Sequence, residues 1–254
     1  MSRIFATGST EGLGRAAAQR LIEEGHQVVL HARAPERTAS LDDQAGHAAG
    51  IVVGDLASEL ETRRIVDQLN KIGRMDAVIH NAGVYLTSRG TTPEGHAGTF
   101  AVNVLAPYLL TVLIEQPSRL VYLSSSMHRG CSSSLNDIDW VERRWDAAQA
   151  YSESKLYLTA LALSIARRWP AVLSNAVDPG WVPTRMGGAG APDDLEMGYL
   201  TQTWLAVSND PAAASSGGYW YHRQRQTPAA NVSDSGFQDR LIDKLGELTG
   251  VPLD

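Results

Sequence analysis

The chain contains one cysteine and three lysines among 254 residues, and nowhere a long unbroken apolar run. With Cys131 alone there is no internal disulfide, and a reducing compartment is the natural one. The seven histidines are scattered rather than set at zinc-like spacing, so no metal is expected. The longest apolar stretch, residues 101–114, is interrupted by Asn103 and Pro107. It falls short of the roughly 20 residues that span a bilayer, so no membrane partner is expected. Little chain precedes a strand expected at Arg3–Ala6, too little for a secretory signal, which points to a cytoplasmic protein. The net charge of −6 argues against nucleic acid as the main partner. Lys71, Lys155 and Lys244 are the only lysines, which gives weight to where each one stands.

What is present is an ordinary globular composition, 43% hydrophobic and 20% charged, large enough to bury a core without staples. Runs at Arg3–Ala6, 28–30, 51–53, 77–79, 120–123, 173–177 and Tyr219–Tyr221 read as about seven strands. Helices are expected over 13–24, after a capping-box pattern at Ser58 and Glu61, and over 95–115, 150–169 and 236–248. This alternation indicates an α/β protein with a parallel sheet covered on both faces, doubly wound as a Rossmann fold. No linker divides the chain, so 1–254 reads as a single domain. Two stretches, 127–149 and 185–196, read as long loops.

The first strand runs into Thr7-Gly8-Ser9-Thr10-Glu11-Gly12-Leu13-Gly14. Glycines in a strand-to-helix turn let the backbone approach a pyrophosphate, whose charge sits at the helix N-terminus. Such glycines can also make no more than a tight turn; their place in the first βα unit favours a dinucleotide. The second strand ends in Leu30-His31-Ala32-Arg33. An NAD site would carry a carboxylate there for the ribose hydroxyls. Ala32 takes that position instead, and Arg33 offers a planar fork to a 2′-phosphate, so NADP(H) is favoured over NAD(H).

In Tyr151-Ser152-Glu153-Ser154-Lys155, the tyrosine and lysine share a helix face at a spacing of four. A phenol with a pKa of about 10 is a poor base at neutral pH. A neighbouring ammonium, together with the positive charge of an oxidised nicotinamide, favours the phenolate; lowering the pKa by about two to three units requires roughly 3–4 kcal/mol. The pair suits proton exchange with an alcohol or carbonyl oxygen while a hydride moves at carbon.

From residue 4 to residue 248 the chain resembles the short-chain dehydrogenase/reductase family, on the Thr-Gly-x-x-x-Gly-x-Gly turn, the Asn-Ala-Gly element and the Tyr-x-x-x-Lys pair. The resemblance implies that Thr7, Gly8, Ser9, Thr10, Gly12, Leu13 and Gly14 surround the cofactor pyrophosphate. It places Asp55 and Leu56 at the adenine edge, and Asn81, Ala82 and Gly83 against the cofactor and central sheet. Tyr151 would be the proton donor, and Lys155 would also hold the nicotinamide ribose. In Ser124-Ser125-Ser126 the family pattern points to Ser125 as the group polarising the substrate oxygen, with Ser124 and Ser126 as alternatives. Asn103 would interrupt its helix and hold, through its carbonyl, a water that joins the lysine to solvent. Asp178-Pro179-Gly180-Trp181-Val182-Pro183-Thr184 resembles the family's Pro-Gly turn, with Pro179, Gly180, Val182 and Thr184 at the nicotinamide. Glu11 departs from the pattern: NADP-binding relatives often have a basic residue there, and the extended epimerase branch a glycine.

The gap from Ser125 to Tyr151 is about twice that of compact members. With the late Gly217-Gly218-Tyr219-Trp220, it resembles the retinol-dehydrogenase-like and carbonyl-reductase branch. The expected function is an NADPH-dependent oxidoreductase acting on a small alcohol, aldehyde or ketone, with substrate choice in the two loops. Trp140, Trp145, Trp181, Met186 and Trp204 either line that pocket or serve packing. An NADP(H)-sensing regulator without turnover is the alternative; retention of Asn103, Ser125, Tyr151 and Lys155 weighs against it. A sugar-nucleotide epimerase is disfavoured by Glu11 and the short C-terminal region. The family usually dimerises through its long central helices, and association into a homodimer or homotetramer is left open.

Overall fold

The structure is a computed structural model that describes residues 1–253, for Asp42 the backbone alone. Strands β1 (Arg3–Ala6), β2 (Gln27–Ala32), β3 (Gly50–Val53), β4 (Ala77–His80), β5 (Arg119–Leu123), β6 (Leu173–Asp178) and β7 (Tyr219–Tyr221) run parallel. The sheet order is β3-β2-β1-β4-β5-β6-β7-β8. The chain winds outward through β2 and β3, then returns to place β4 on the other side of β1. Between the carboxyl ends of β1 and β4 lies the crevice where open α/β sheets bind ligands.

The eighth strand, β8 (Gln224–Gln226), pairs antiparallel with β7 and adds one edge to the seven strands expected. Its hairpin turn holds His222 and Arg223 at φ of 48° and 62°. Turns of this kind usually carry Asn or Gly, and neither is present, so the sequence gives no turn signal.

Alternate residues of each strand feed opposite faces. Phe5, Val29, Val78, Leu120 and Tyr122 pack beneath α3 (Glu59–Ile72), α6 (Ala147–Arg168) and α8 (Ser235–Thr249). Ile4, Leu30, Ile79, Val121 and Val177 pack beneath α1 (Gly12–Glu23) and α7 (Leu195–Val207). The short α2 (Asp42–Ala45) follows β2. Helix α7 falls largely outside the sequence expectation, and it ends the second loop at Asp194, whose Oδ1 caps the helix by accepting from Met197 N at 2.9 Å. It buries Gly198, Thr201, Gln202, Leu205 and Ala206, a face of small and polar residues with no apolar repeat to read.

The capping box before α3 is half formed. Ser58 Oγ accepts from Glu61 N at 3.4 Å, but Glu61 turns its carboxylate to Asp55 N at 2.7 Å. The Ser58 N–H goes instead to Asp55 O at 3.0 Å, and Glu94 adds an acceptor from outside the box, taking Ser58 Oγ–H at 3.0 Å and Glu59 N–H at 2.9 Å. The helix expected over 95–115 starts later, as α4 (Gly98–Phe100), and passes through a π turn at Ala101–Leu105 into α5 (Ala106–Leu113). Pro107 has no N–H to give the carbonyl of Asn103, so regular α-helical bonding fails at that position. No helix among the described residues is long and apolar enough to cross a membrane.

Candidate active site

The glycine turn between β1 and α1 is built from contacts that leave no spare volume. Gly8 and Gly12 have φ of 69° and 57°, where a side chain is strained. A Cβ on Gly14 would lie 2.3 Å from Gly8 O and 2.4 Å from Asn81 Nδ2. Asn81 Nδ2 donates to Thr7 O at 3.0 Å, and Thr7 Oγ1 accepts from Ala82 N at 2.9 Å. Thr7 and Ser9 thus turn inward, while Gly8, Thr10, Gly12 and Leu13 face the cleft.

His31, which sequence reasoning passed over, braces the turn from β2. Its Nδ1 accepts from Gly8 N at 2.9 Å, so Nε2 carries the proton and donates to Gly54 O at 2.9 Å. Burial lowers its pKa and keeps the ring neutral. Nothing in a hydrophobic run ending in His and Ala marks that role.

Beyond β2, Arg33 stands exposed on the cleft rim. Arg37 also lines the cleft and pairs with Glu11 at 3.0 Å; Arg185 lies 3.9 Å from the same carboxylate. Arg37 is a second basic group that the sequence reading missed, because it sits in an irregular turn whose path the sequence does not reveal. Asp55 and Leu56 line the cleft after β3, with Asp55 Oδ1 accepting from Ala57 N at 2.9 Å.

Asn103, Ser125, Tyr151 and Lys155 converge at the carboxyl end of the sheet. Asn103 is fully buried and pairs with the backbone of Val84 in both directions: Oδ1 accepts from Val84 N at 2.8 Å and Nδ2 donates to Val84 O at 3.0 Å. Its Nδ2 also donates to Ser154 Oγ at 2.9 Å. Gly83 admits both neighbours, since a Cβ there would lie 3.3 Å from Lys155 Nζ and 3.4 Å from Asn103 Oδ1. The Ser125 hydroxyl lies close enough to Tyr151 to ease ionisation of the phenol, and its Oγ accepts from Met127 N at 3.2 Å. Ser124 is occupied elsewhere, at 2.6 Å from Thr159 Oγ1 beneath α6, and Ser126 is exposed. The geometry therefore separates three serines that the sequence leaves together.

Both members of the pair depart from their ordinary pKa values. Burial, with the Asp178 carboxylate adding to it and the Ser125 hydrogen bond opposing, pushes the Tyr151 phenol up to about 12. Lys155 does not hold the phenolate here, because its Nζ donates to Leu123 O at 2.7 Å and stands 5.4 Å from the tyrosine ring centre. Burial lowers Lys155 to about 8, against the pull of Asp178. Burial thus favours the uncharged form of both groups.

After β6, Asp178 accepts from Gly180 N and Tyr219 Oη, both at 3.0 Å. Pro179 and Thr184 reach the cleft, whereas Val182 is buried. A Cβ on Gly12 would lie 3.4 Å from the Thr184 methyl, so this loop leans on the glycine turn. Of the large apolar candidates, Trp140 is packed and Trp204 meets Trp220 edge-on at 5.3 Å, while Trp181 and Met186 are exposed and Met186 lines the cleft.

A phenol beside a serine and a buried lysine, at the head of a cleft of about 380 Å³ that begins in a glycine turn, defines the class. It is a nicotinamide-dependent oxidoreductase. Comparison with known proteins gives the family. Residues 8–210 match the family model described as Enoyl-(Acyl carrier protein) reductase. The short-chain dehydrogenase chyC of Penicillium rubens is 37% identical over 256 residues, covering 100% of this chain and 99% of the relative. Human retinol dehydrogenase 13 is 28% identical, covering 98% and 84% respectively. A blue fluorescent protein from a metagenomic library, solved in complex with NADPH, shares the fold at a TM-score of 0.69 and 20% identity, covering 86% of this chain and 94% of its own. The chain belongs to the short-chain dehydrogenase/reductase family, whose members are NAD(P)-dependent and act on alcohol and carbonyl groups.

The close approach at Gly14 is testable through stability. Gly14→Ala is expected to destabilise by about 1–3 kcal/mol or more, because the methyl meets backbone that cannot move aside. Gly46→Ala, with no atom within 4 Å of the added carbon, should change stability by less than about 0.5 kcal/mol. Urea unfolding of both variants reads the difference.

Proposed function

We propose that this enzyme reduces a carbonyl substrate using NADPH in preference to NADH, with Tyr151 as the general acid. The observation that carries the reading is the placement of Tyr151 and Lys155 together on the cleft wall, Nζ 5.4 Å from the ring centre, with Ser125 beside the phenol at the carboxyl end of β5. The cradle fits a dinucleotide: the cleft runs from the glycine turn, where a Cβ at Gly14 would strike backbone, to Tyr151. Amides of Thr10, Gly12 and Leu13 would hold the pyrophosphate, with Gly8 lining its approach and its own N–H given to His31, and Asp55 and Leu56 would hold the adenine. The Asn81-Ala82-Gly83 backbone would form the floor, and Pro179, Gly180, Val182 and Thr184 would present the nicotinamide. When bound, the nicotinamide supplies the hydride.

The remaining work falls to side chains of this chain. Ser125 Oγ–H donates to the substrate oxygen and holds it against the phenol. Tyr151 Oη delivers the proton as charge develops on that oxygen; with a pKa near 12, the phenol is protonated throughout the neutral range. Lys155 Nζ holds the ribose and offsets the phenolate left behind. Asn103 acts from behind, fixing the Val84 backbone and leaving its own carbonyl free of the helix. A phenol this weak as an acid is a weaker initiator of alcohol oxidation, which needs the phenolate first. Carbonyl reduction is therefore the favoured direction at neutral pH.

Arg33 supports the NADPH preference, since an unpaired guanidinium on the rim can meet a phosphate in two parallel hydrogen bonds. Arg37 contributes from the same side once its pairing with Glu11 is shared. A preference for NADPH over NADH of at least about tenfold in Kd is expected. Arg33→Ala should erase most of it, and Ala32→Asp should invert it. Fluorescence titration with both nucleotides decides; equal affinities in the unaltered protein contradict the assignment.

A pH prediction follows from Lys155. Its ammonium is present below about pH 8 and lost above it. For reduction of a panel of aldehydes and ketones, kcat/KM should be level near pH 7 and fall as pH rises through about 8. A profile level to pH 10 would contradict the role given to the lysine.

A further inference from the structure

The segment 127–149 has almost no regular structure, yet it is tied down by one buried carboxylate from within the Tyr151–Lys155 stretch. Glu153 is only 6% exposed. Arg143 grips it with both arms, Nη1 to Oε1 and Nη2 to Oε2, each at 2.9 Å. Trp140 Nε1 donates to Oε2 at 3.1 Å, and Gln149 Nε2 donates to Oε1 at 3.0 Å. The Arg143 guanidinium also lies 3.8 Å above the Trp140 ring. Asp137 gathers the amides of Val141, Glu142 and Arg143, with φ positive at both Asp137 and Trp140. A backbone strained at two non-glycine residues persists only where its surroundings hold it, and Glu153 is the hub of those contacts.

The contacts continue past the loop and return to the phenol. Trp140 meets Trp145 edge-on at 5.4 Å, and Trp145 Nε1 donates to Leu86 O at 3.3 Å. Next to Leu86, Tyr85 lies tilted against the Tyr151 ring at 5.3 Å, with 40% of its surface exposed. The circuit runs from Glu153 through Trp140, Trp145, Leu86 and Tyr85 to Tyr151, two residues from its origin. Tyr85, flanked by the cleft-lining Val84 and Leu86, stands exposed against the Tyr151 ring, where a substrate oxygen would approach the phenol.

We propose that Glu153 is a positioning residue that sets where the Tyr85 ring stands over Tyr151, and so sets the size of carbonyl substrate the enzyme accepts. The inference rests on the functional reading above for its word substrate, but the geometry it asserts does not. Losing the anchor frees the tryptophan pair, and with it the Leu86 carbonyl and Tyr85. The double substitution Arg143→Met/Glu153→Gln should be milder than Arg143→Met alone, because the single variant strands a buried carboxylate.

Hydrogen exchange on the free protein gives the first test. Glu153→Gln should speed exchange at least tenfold both at 141–143 and at 84–88, and the double variant should be closer to the unaltered protein than Arg143→Met is. A rise confined to 141–143, or none, overturns the proposal. The second test uses NADPH with 9,10-phenanthrenequinone and with 2,3-butanedione as probes. Glu153→Gln should change KM for the large diketone at least fivefold, with KM for butanedione and Kd for NADPH within twofold. Equal changes for both diketones, or parallel loss of NADPH affinity, overturn it. An unaltered protein that reduces neither diketone counts against the functional reading, and the exchange experiment then decides this proposal by itself.

Discussion

The structure depends on how closely β1 and β4 are held at their carboxyl ends. Thr7 accepts from Asn81 Nδ2 and from Ala82 N across that junction, and Gly14 brings α1 down onto Gly8 with no room for a methyl group. This is the point where the strand order reverses. Because the backbone is drawn so tight, the first turn of α1 presents its N–H groups to the crevice, and the residues after β4 pass directly alongside. His31 adds a third support from β2, with a ring that burial keeps neutral and therefore able to accept from Gly8. The cofactor cleft is a consequence of strand packing and needs no separate element to make it.

The reacting groups obey a second constraint, that buried polar atoms find partners. Lys155, cut off from water, gives a proton to Leu123 O and sits near Asp178 without a direct ion pair. Asn103 spends its amide on Val84 and Ser154. Ser124 is taken by Thr159, which leaves Ser125 to the phenol. Each allocation narrows what the next group can do. Burial of Tyr151 raises its pKa and keeps the phenol protonated through the neutral range.

Much of this was legible in the chain. The seven parallel strands follow from short apolar runs, and the Tyr151–Lys155 pairing follows from helical spacing alone. The glycine turn is legible because positive φ and close approach both demand glycine. What stayed hidden has no local period. The β7–β8 hairpin turns on His222 and Arg223, residues that carry no turn signal. Helix α7 buries small polar residues, and Glu61 turned from its expected cap to Asp55 while Glu94, distant in sequence, added an acceptor from outside the box. His31, Arg37 and the Glu153 circuit are long-range contacts, visible only once the chain is folded. The segment 127–149 reads as a slack loop for the same reason, although Ile138 and Trp140 are buried in it.

The central claim is that the Tyr151 phenol, placed by Ser125 and Lys155, supplies the proton for carbonyl reduction while the cleft binds the cofactor independently of it. Tyr151→Phe keeps the ring and removes only the hydroxyl, so it separates the two. The measurement is single-turnover oxidation of bound NADPH by the best carbonyl substrate, taken together with the NADPH Kd of the same variant. The account predicts a fall in rate of roughly 10²–10⁴-fold with Kd within about twofold. A variant that keeps more than about a tenth of the rate would contradict it.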